Sequence, residues 1–402
     1  MKEILVIGGG AAGMAAALRA AEQPGNRVTL LEKQARLGRK LLATGNGRCN
    51  LSNTGAAAER YHGAGPGFVL PALEAWPPEA VLGFFAELGL KTVTEYGGRV
   101  YPMSGHAGSV LDVLRLGLEN RGVRVLIGAS VTAAKRGRAG FAVKHEGGEA
   151  RCDALIVACG GCAGGKLGGV RDGYRLLEGF GHRVTPLYPA LSPIRTDPAY
   201  PRALKGVRAD ARVSLLRGDR RLAEARGDVL FTETGLSGTA VFDLSRAAAT
   251  EGEGLTAALD FFPGEGEAAL KRELFARRRR WPALEANRVL TGTVHSRVGL
   301  MLCKYAGLGG GGTLGEAPDA ALARLAAAMK CFPLPVLGVG GFEGAQVTAG
   351  GVSTAEFDAH TLQSRLVPDL YACGEVLDVD GDCGGFNLQW AWASGLLAGD
   401  TL

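Results

Sequence analysis

At 402 residues, with 47% hydrophobic and 21% charged residues, the chain has ordinary globular composition and is too long for one ordinary core, so two or three domains are expected. No apolar run approaches the roughly 18 residues a membrane-spanning helix needs, and 63 glycines point to many tight turns rather than to disorder. The net charge of +5 is modest, and its excess lies between Ala190 and Lys330, most sharply at Arg277-Arg278-Arg279-Arg280 before Trp281; a solvated helix face is the plain reading, an RNA-facing surface the other.

The first strand begins within three residues of Met1, which leaves no room for a signal peptide and predicts a cytoplasmic location. Glu3 to Ile7 reads as a buried parallel strand ended by glycine. Gly8, Gly10 and Gly13 then give G-x-G-x-x-G, and a small-residue helix continues from Ala11 and Ala12. In this pattern Gly8 permits the tight turn, Gly10 lets backbone approach a pyrophosphate, and Gly13 lets helix and strand pack closely. The free amides and dipole of a helix N-terminus favour the phosphates there. A second strand, Arg27 to Leu31, ends at Glu32, the acid expected on a ribose hydroxyl, with Lys33 next to it. The fingerprint alone does not separate FAD from NAD.

Gly38 to Asn53 has little apolar periodicity and many Gly, Asn, Arg and Lys residues, as a loop wrapping a polar cofactor would. Arg39, Lys40 and Arg48 are natural partners for phosphate or a ring edge, or else plain surface charges. Helices are expected around 78–88 and 110–120, strands at 99–102, 123–127 and 141–144. A buried strand over 154–158 leads into Cys159, Gly160 and Gly161, and Asp172 opens a further helix. Near Val184 prolines and short β-patterned segments replace the alternation; helical spacing returns between Glu267 and Met329. The last strand, from Leu370, ends in glycine, and a helix runs through Trp390 to Leu397. The expected division is 1–183 and 350–402 for one nucleotide-binding domain, 184–266 and 331–349 for a β-rich insertion, and 267–330 for a helical subdomain.

Gly38 to Asn50, Gly98 to Pro102, Phe231 to Gly238, Gly350 to Thr354, Gly374 to Gly381 and Gly384 to Gln389 together resemble the BaiN/RdsA (YhiN-type) flavoproteins, which also carry the label aminoacetone oxidase family. The matches run through the whole chain in order. The resemblance implies an α/β fold: a split glutathione-reductase-like FAD-binding Rossmann domain with an inserted β-rich domain and a helical subdomain. It implies FAD as cofactor and NAD(P)H as a transient donor. It also implies hydride transfer to an activated C=C bond of a small molecule, with reduction of an rRNA uridine as an alternative; a flavin-binding sensor or oxidase without NAD(P)H turnover is the reading from a different class. By the same resemblance Gly374 and Glu375 lie by the ribityl chain and pyrophosphate, and Gly385, Phe386, Asn387 and Leu388 cap the isoalloxazine. Gly47, Cys49, Asn50, Val131 and Ala158 complete the cofactor-binding set, and no metal is implied.

Two departures stand out. Cys159 and Cys162 occupy a stretch where the family has Ala-Thr-Gly-Gly, and Cys383 stands where it commonly has Thr. The pair 159–162 reads as a dithiol or, more plainly, as small buried residues. No second dinucleotide unit follows Gly309 to Gly312 or Gly338 to Gly341. Tyr101, His106 and His295 are the candidate proton donors, with a structural hydrogen-bonding role as the alternative for each histidine.

Overall fold

The computed structural model describes residues 1–65 and 67–402. The chain divides into two compact units, Met1–Tyr188 with Gln346–Leu402, and Pro189–Ala345. In the first unit, β1 (Lys2–Ile7), β2 (Asn26–Glu32), β3 (Arg124–Ile127), β4 (Ala154–Val157) and β5 (Leu370–Ala372) form a parallel sheet in the order β5-β4-β1-β2-β3. Its central strands are continuous apolar runs because both faces are covered: Val6, Leu155 and Ile156 have no exposed surface. The register aligns Ile7 with Leu31 and with Val157, and Val157 with Ala372, so these strand ends share one edge of the sheet.

Helix α1 (Ala11–Glu22) is alanine-rich, and those small side chains admit a neighbouring helix at close range. That neighbour is the C-terminal helix α2 (Phe386–Asp400). A Cβ on Gly395 would lie 2.4 Å from the Ala12 carbonyl oxygen, and one on Gly399 2.8 Å from that of Ala16. Contacts that advance together along both helices mean that they run in the same direction, so the two ends of the chain are bound into one layer. By contrast Gly83, inside the helix Pro78–Glu87, is exposed, and a Cβ there meets nothing within 4 Å. Gly83→Ala is expected to stabilise this unit by about 0.5–1 kcal/mol in a denaturant titration, because alanine loses less backbone entropy in a helix.

A buried hydrogen-bonded chain closes the unit elsewhere. His182 Nδ1 lies 3.0 Å from Glu356 Oε2, its Nε2 lies 2.9 Å from Ser364 Oγ, and its ring stacks on Phe357. The order of atoms resembles a hydrolytic triad, but Ser364 Oγ accepts amide bonds from Leu366 and Val367 and is buried, so it is a tie rather than a nucleophile. Burial holds the His182 pKa below its ordinary value, against the opposing pull of Glu356. Glu356 is itself held low: burial raises it, but the bonds from Arg183 and His182 outweigh that. Both shifts make the unfolded chain bind protons more readily than the native one, so stability falls as pH drops. The melting temperature is therefore expected to decline first below the ordinary histidine range and again below the carboxylate range, and His182→Gln removes the first decline.

The second unit is built on a closed six-stranded antiparallel barrel: Ile194–Thr196, Gly235–Ser237, Arg220–Phe231, Arg208–Arg217, Thr256–Asp260 and Phe332–Val339, in barrel order. Helices Thr239–Glu251, Glu267–Arg280, Ser296–Tyr305 and Asp319–Lys330 belong to the same unit, and Leu244, Leu270, Leu322 and Leu325 join Val213, Leu215, Phe231 and Phe332 in one core. The helix Thr239–Glu251 stands within a stretch expected to be β-rich; Ala240, Val241, Leu244 and Ala248 bury one helical face.

The four arginines do not act alike. Arg277 donates to the carbonyls of Val289 and Thr291 and pairs with Glu273, and Arg278 donates to Ala317 and pairs with Asp319 at 2.7 Å. Arg279 and Arg280 are exposed, the latter over the ring of Trp281. Consecutive helical residues point about 100° apart, so a run of four cannot present one charged face.

Candidate functional site

The loops at the C-terminal edge of the parallel sheet converge, as ligand-binding loops of such sheets do. Gly8, after β1, has φ +112°, and a Cβ there would meet the Ala158 carbonyl oxygen at 2.3 Å. Gly13 is tighter still, with its would-be Cβ 1.8 Å from the Gly8 oxygen. Gly10 differs: it has φ −83° and nothing within 4 Å of a Cβ position. It caps α1 without any side-chain bond to the first amides, which leaves the N–H groups of Ala11, Ala12 and Gly13 without intrahelical acceptors. An open space in front of free amides is an anion cradle.

Glu32, at the end of β2, is buried, and its two carboxylate oxygens accept amide bonds from Gly9 and Gln34, each at 2.7 Å. Each oxygen keeps a second lone pair for a hydroxyl donor. Gly374 follows β5 with φ +75°; its amide donates to Ser394 Oγ, and its would-be Cβ lies 2.7 Å from Ala12 Cβ, which sets this turn against the first turn of α1. Glu375 accepts from Lys40 Nζ at 2.6 Å and from the Thr348 amide at 2.8 Å.

The stretch from Gly38 to Asn50 is more ordered than its sequence suggests. It forms a short helix, Arg39–Ala43, then a run in which Gly45, Asn46, Gly47 and Cys49 all have positive φ. Left-handed conformation at Asn46 and Cys49 is strain held by the surroundings, a feature that clusters at ligand clamps. The expected cations are already engaged. Lys33 pairs with Asp172, Lys40 with Glu375 and Arg48 with Glu95, while Arg39 donates to Gln34 and to the Lys166 carbonyl. The cradle therefore relies on backbone amides and the helix dipole rather than on a bare cation.

At the start of α2, Gly385 has φ +101°, and no side chain caps the first turn. A Cβ on Gly385 would lie 2.8 Å from Asn50 Oδ1, a buried acceptor without a hydrogen-bond partner. Asn387 turns its side chain to the loop before the helix, bonding both the amide and the carbonyl of Gly381, so only its backbone is left for a ligand. Phe386 is buried against Tyr61, and Leu388 is half-buried. Sequence reasoning passed over the residues that tie loop to helix. Ser52 Oγ donates to Gln389 Oε1, Asn53 Nδ2 to the Gly384 carbonyl, and Trp392 Nε1 to the Leu51 carbonyl. Their signal was position: Leu51 to Asn53 continue the loop motif.

The remaining predicted residues sort clearly. Cys159, Gly160 and Gly161 follow β4, and Gly161 abuts Thr348 and Glu375. Val131 opens a separate antiparallel sheet, Val131–Gly137 with Gly140–His145 and Gly148–Cys152. Burial pushes the thiols of Cys49 and Cys159 up to about 12 and raises Cys162 and Cys373, so none of them is poised as a thiolate at neutral pH. His106 and His295 are exposed N-caps whose Nδ1 atoms accept from Gly108 and Arg297, each from its own helix. Tyr101 is buried, with the Arg48 guanidinium 4.1 Å from its ring centre and Gly45 against its edge.

The family model described as HI0933-like protein Rossmann domain matches residues 2–401. The chain belongs to the HI0933-like family. This HI0933-like chain is 40% identical over 404 residues to a 3-dehydro-bile acid Δ4,6-reductase of Clostridium scindens, covering 99% of the chain and 98% of that protein. It is 29% identical over 400 residues to a ribosomal RNA dihydrouridine synthase of Escherichia coli, covering 98% and 96%. Among solved structures, a 3-ketosteroid Δ1-dehydrogenase from Sterolibacterium denitrificans superposes with a TM-score of 0.53 at 15% identity and 99% coverage of both chains, which shows a shared fold. No helix among the described residues is long and apolar enough to cross a membrane.

Proposed function

We propose that this chain is an FAD-dependent oxidoreductase that passes hydride to an activated C=C bond of a steroid-like small molecule, with NAD(P)H as the transient donor. The observation that carries the reading is the placement of two uncapped helix N-termini. Ala12 lies level with Gly395, and α2 begins nine residues earlier, so at 1.5 Å per residue its N-terminus stands about 13 Å beyond that level. An extended dinucleotide with its pyrophosphate at Gly10 and its ring near Gly385 fits that spacing. Glu32 suits a ribose at one end, and the orphaned Asn50 Oδ1 offers an acceptor to an N–H or hydroxyl at the other.

When bound, FAD supplies hydride exchange at its ring. The chain's own residues bind and orient. The amides of Ala11 to Gly13 hold negative charge, Glu32 accepts from hydroxyls, and the dipole of α2 favours electron density near Phe386 and Asn387. The full-length similarity to a bile-acid reductase supports a 3-oxo, unsaturated steroid class. Mixing the purified protein anaerobically with NADPH tests the donor: the flavin band near roughly 450 nm is expected to bleach and to return when a 4-en-3-one steroid is added. A band that persists with NADPH and NADH alike sinks the donor assignment, and no band after reconstitution with FAD sinks the cofactor.

RNA as substrate draws on the second relative and on the basic run, of which only Arg279 and Arg280 stand exposed. The double variant Arg279→Glu, Arg280→Glu is expected to leave steroid turnover within about twofold of wild type, since exposed, solvated charges act weakly. A large loss of salt-sensitive rRNA binding in that variant would instead favour the RNA reading.

A further inference from the structure

We propose that Tyr101 is the proton donor of this double-bond reduction, giving its hydroxyl proton to the carbon next to the one that receives hydride. The assignment rests on the reaction proposed above and names the acid which that reaction needs. Three side chains had the chemistry for it, and the geometry separates them. His106 and His295 each commit Nδ1 to capping an exposed helix, which places them as structural hydrogen-bonders. Tyr101 is 9% exposed, its ring held between the Arg48 guanidinium and Gly45. Its hydroxyl is not one of the enclosed polar atoms without a partner, as Asn50 Oδ1 and the Tyr174 hydroxyl are, so it keeps a surface that a substrate can reach.

The position is right for that substrate. Tyr101 sits on the short strand Arg99–Pro102, which pairs with Ser52–Asn53 and so is tied to the loop bonded to Gly384 and Gln389. Gly45 would place a Cβ 3.4 Å from the Tyr101 ring, and the lack of one keeps the strained loop flat against it. The Arg48 guanidinium lies over the ring, itself held by Glu95 at 2.5 Å. Burial raises the phenol's pKa despite the nearby arginines, so the group is protonated and able to act as an acid at neutral pH.

The step balances. A hydride, carrying two electrons from the two-electron-reduced flavin, forms a C–H bond at one carbon of the double bond. The π pair forms the second C–H bond with the proton of Tyr101, whose O–H bond breaks and leaves a phenolate. The Arg48 cation above the ring stabilises that phenolate by cation–π attraction until water returns the proton.

Tyr101→Phe keeps the ring that Arg48 and Gly45 contact and removes only the acid. In the holoprotein the flavin content is expected to be unchanged, and binding of a 4-en-3-one steroid to the oxidised form, followed by fluorescence quenching, to stay within about threefold. Reoxidation of the dithionite-reduced protein by that steroid is expected to slow by about 100-fold or more, the usual contribution of a positioned acid. In D₂O the wild-type product carries deuterium on one face of the protonated carbon, and the residual product of the variant carries it on both, read by NMR. Reoxidation as fast as wild type with one-face labelling overturns the assignment. A variant that loses flavin or steroid binding assigns Tyr101 to packing, which overturns it too. A wild-type protein that no enone reoxidises overturns the reading of the reaction itself, and Tyr101's role with it.

Discussion

Gly10→Glu is expected to fold as the wild type does and to lose FAD. The backbone at residue 10 is extended, φ −83° and ψ −169°, which any residue adopts without strain, and a Cβ there meets nothing within 4 Å. The new carboxylate also suits a helix N-terminus, so the apo protein has no reason to unfold. The space it fills is the one assigned to the pyrophosphate. A fixed negative charge against the free amides of Ala11 to Gly13 both competes for those donors and repels the phosphates, so affinity is expected to fall by on the order of 100-fold or more, nearly 3 kcal/mol. Titration of refolded apoprotein with FAD reads the loss, and the circular dichroism melt reads the fold. The contrast is Gly13→Ala, whose methyl would stand 1.8 Å from the Gly8 oxygen and which is expected to damage the fold itself. Tight FAD binding by Gly10→Glu would remove Gly10 from the site.

What could be read from the sequence was local or repeated in pattern. The strand β1, its glycines, α1 and Glu32 follow from contiguous residues, because each glycine's duty depends on neighbours a few positions away. Buried strands such as Ala154–Val157 are legible as unbroken apolar runs. Closure of the barrel was not, since it depends on pairing Ile194 with Val339 and Thr256 with Pro335, registers that no window of sequence contains. The helix Thr239–Glu251 opens with Val241 and Phe242, residues that favour strands, and packing of its other apolar positions overrides them. The cations Lys33, Arg39, Lys40 and Arg48 could be named, but not that acids from residues 95, 172 and 375 neutralise three of these four charges. Histidine is also an unusual cap, so nothing local marked His106 or His295 for that duty.

The site depends on how closely the first and last helices approach, and Gly395→Ala tests that dependence with one methyl group. Its Cβ would lie 2.4 Å from the Ala12 carbonyl oxygen and 3.1 Å from Ala15 Cβ, backbone and short side chain that cannot swing aside. One helix must move away from the other. Overpacking of this kind costs about 1–3 kcal/mol, and the backbone contact puts it at the upper end. Alanine's better helix propensity returns less than 1 kcal/mol of that. In a unit of this size the melting temperature is expected to drop by roughly 5 °C or more. The motion also disturbs function, because Trp390 Nε1 bonds the Gly374 carbonyl and Ser394 Oγ accepts from the Gly374 amide, so the turn beside α1 moves with α2. FAD affinity is therefore expected to weaken together with stability, whereas Gly83→Ala raises stability and leaves affinity unchanged. A melt within 1 °C of wild type and undiminished FAD binding in Gly395→Ala would show that the two helices tolerate wider spacing, and that the positions of their N-termini are set elsewhere.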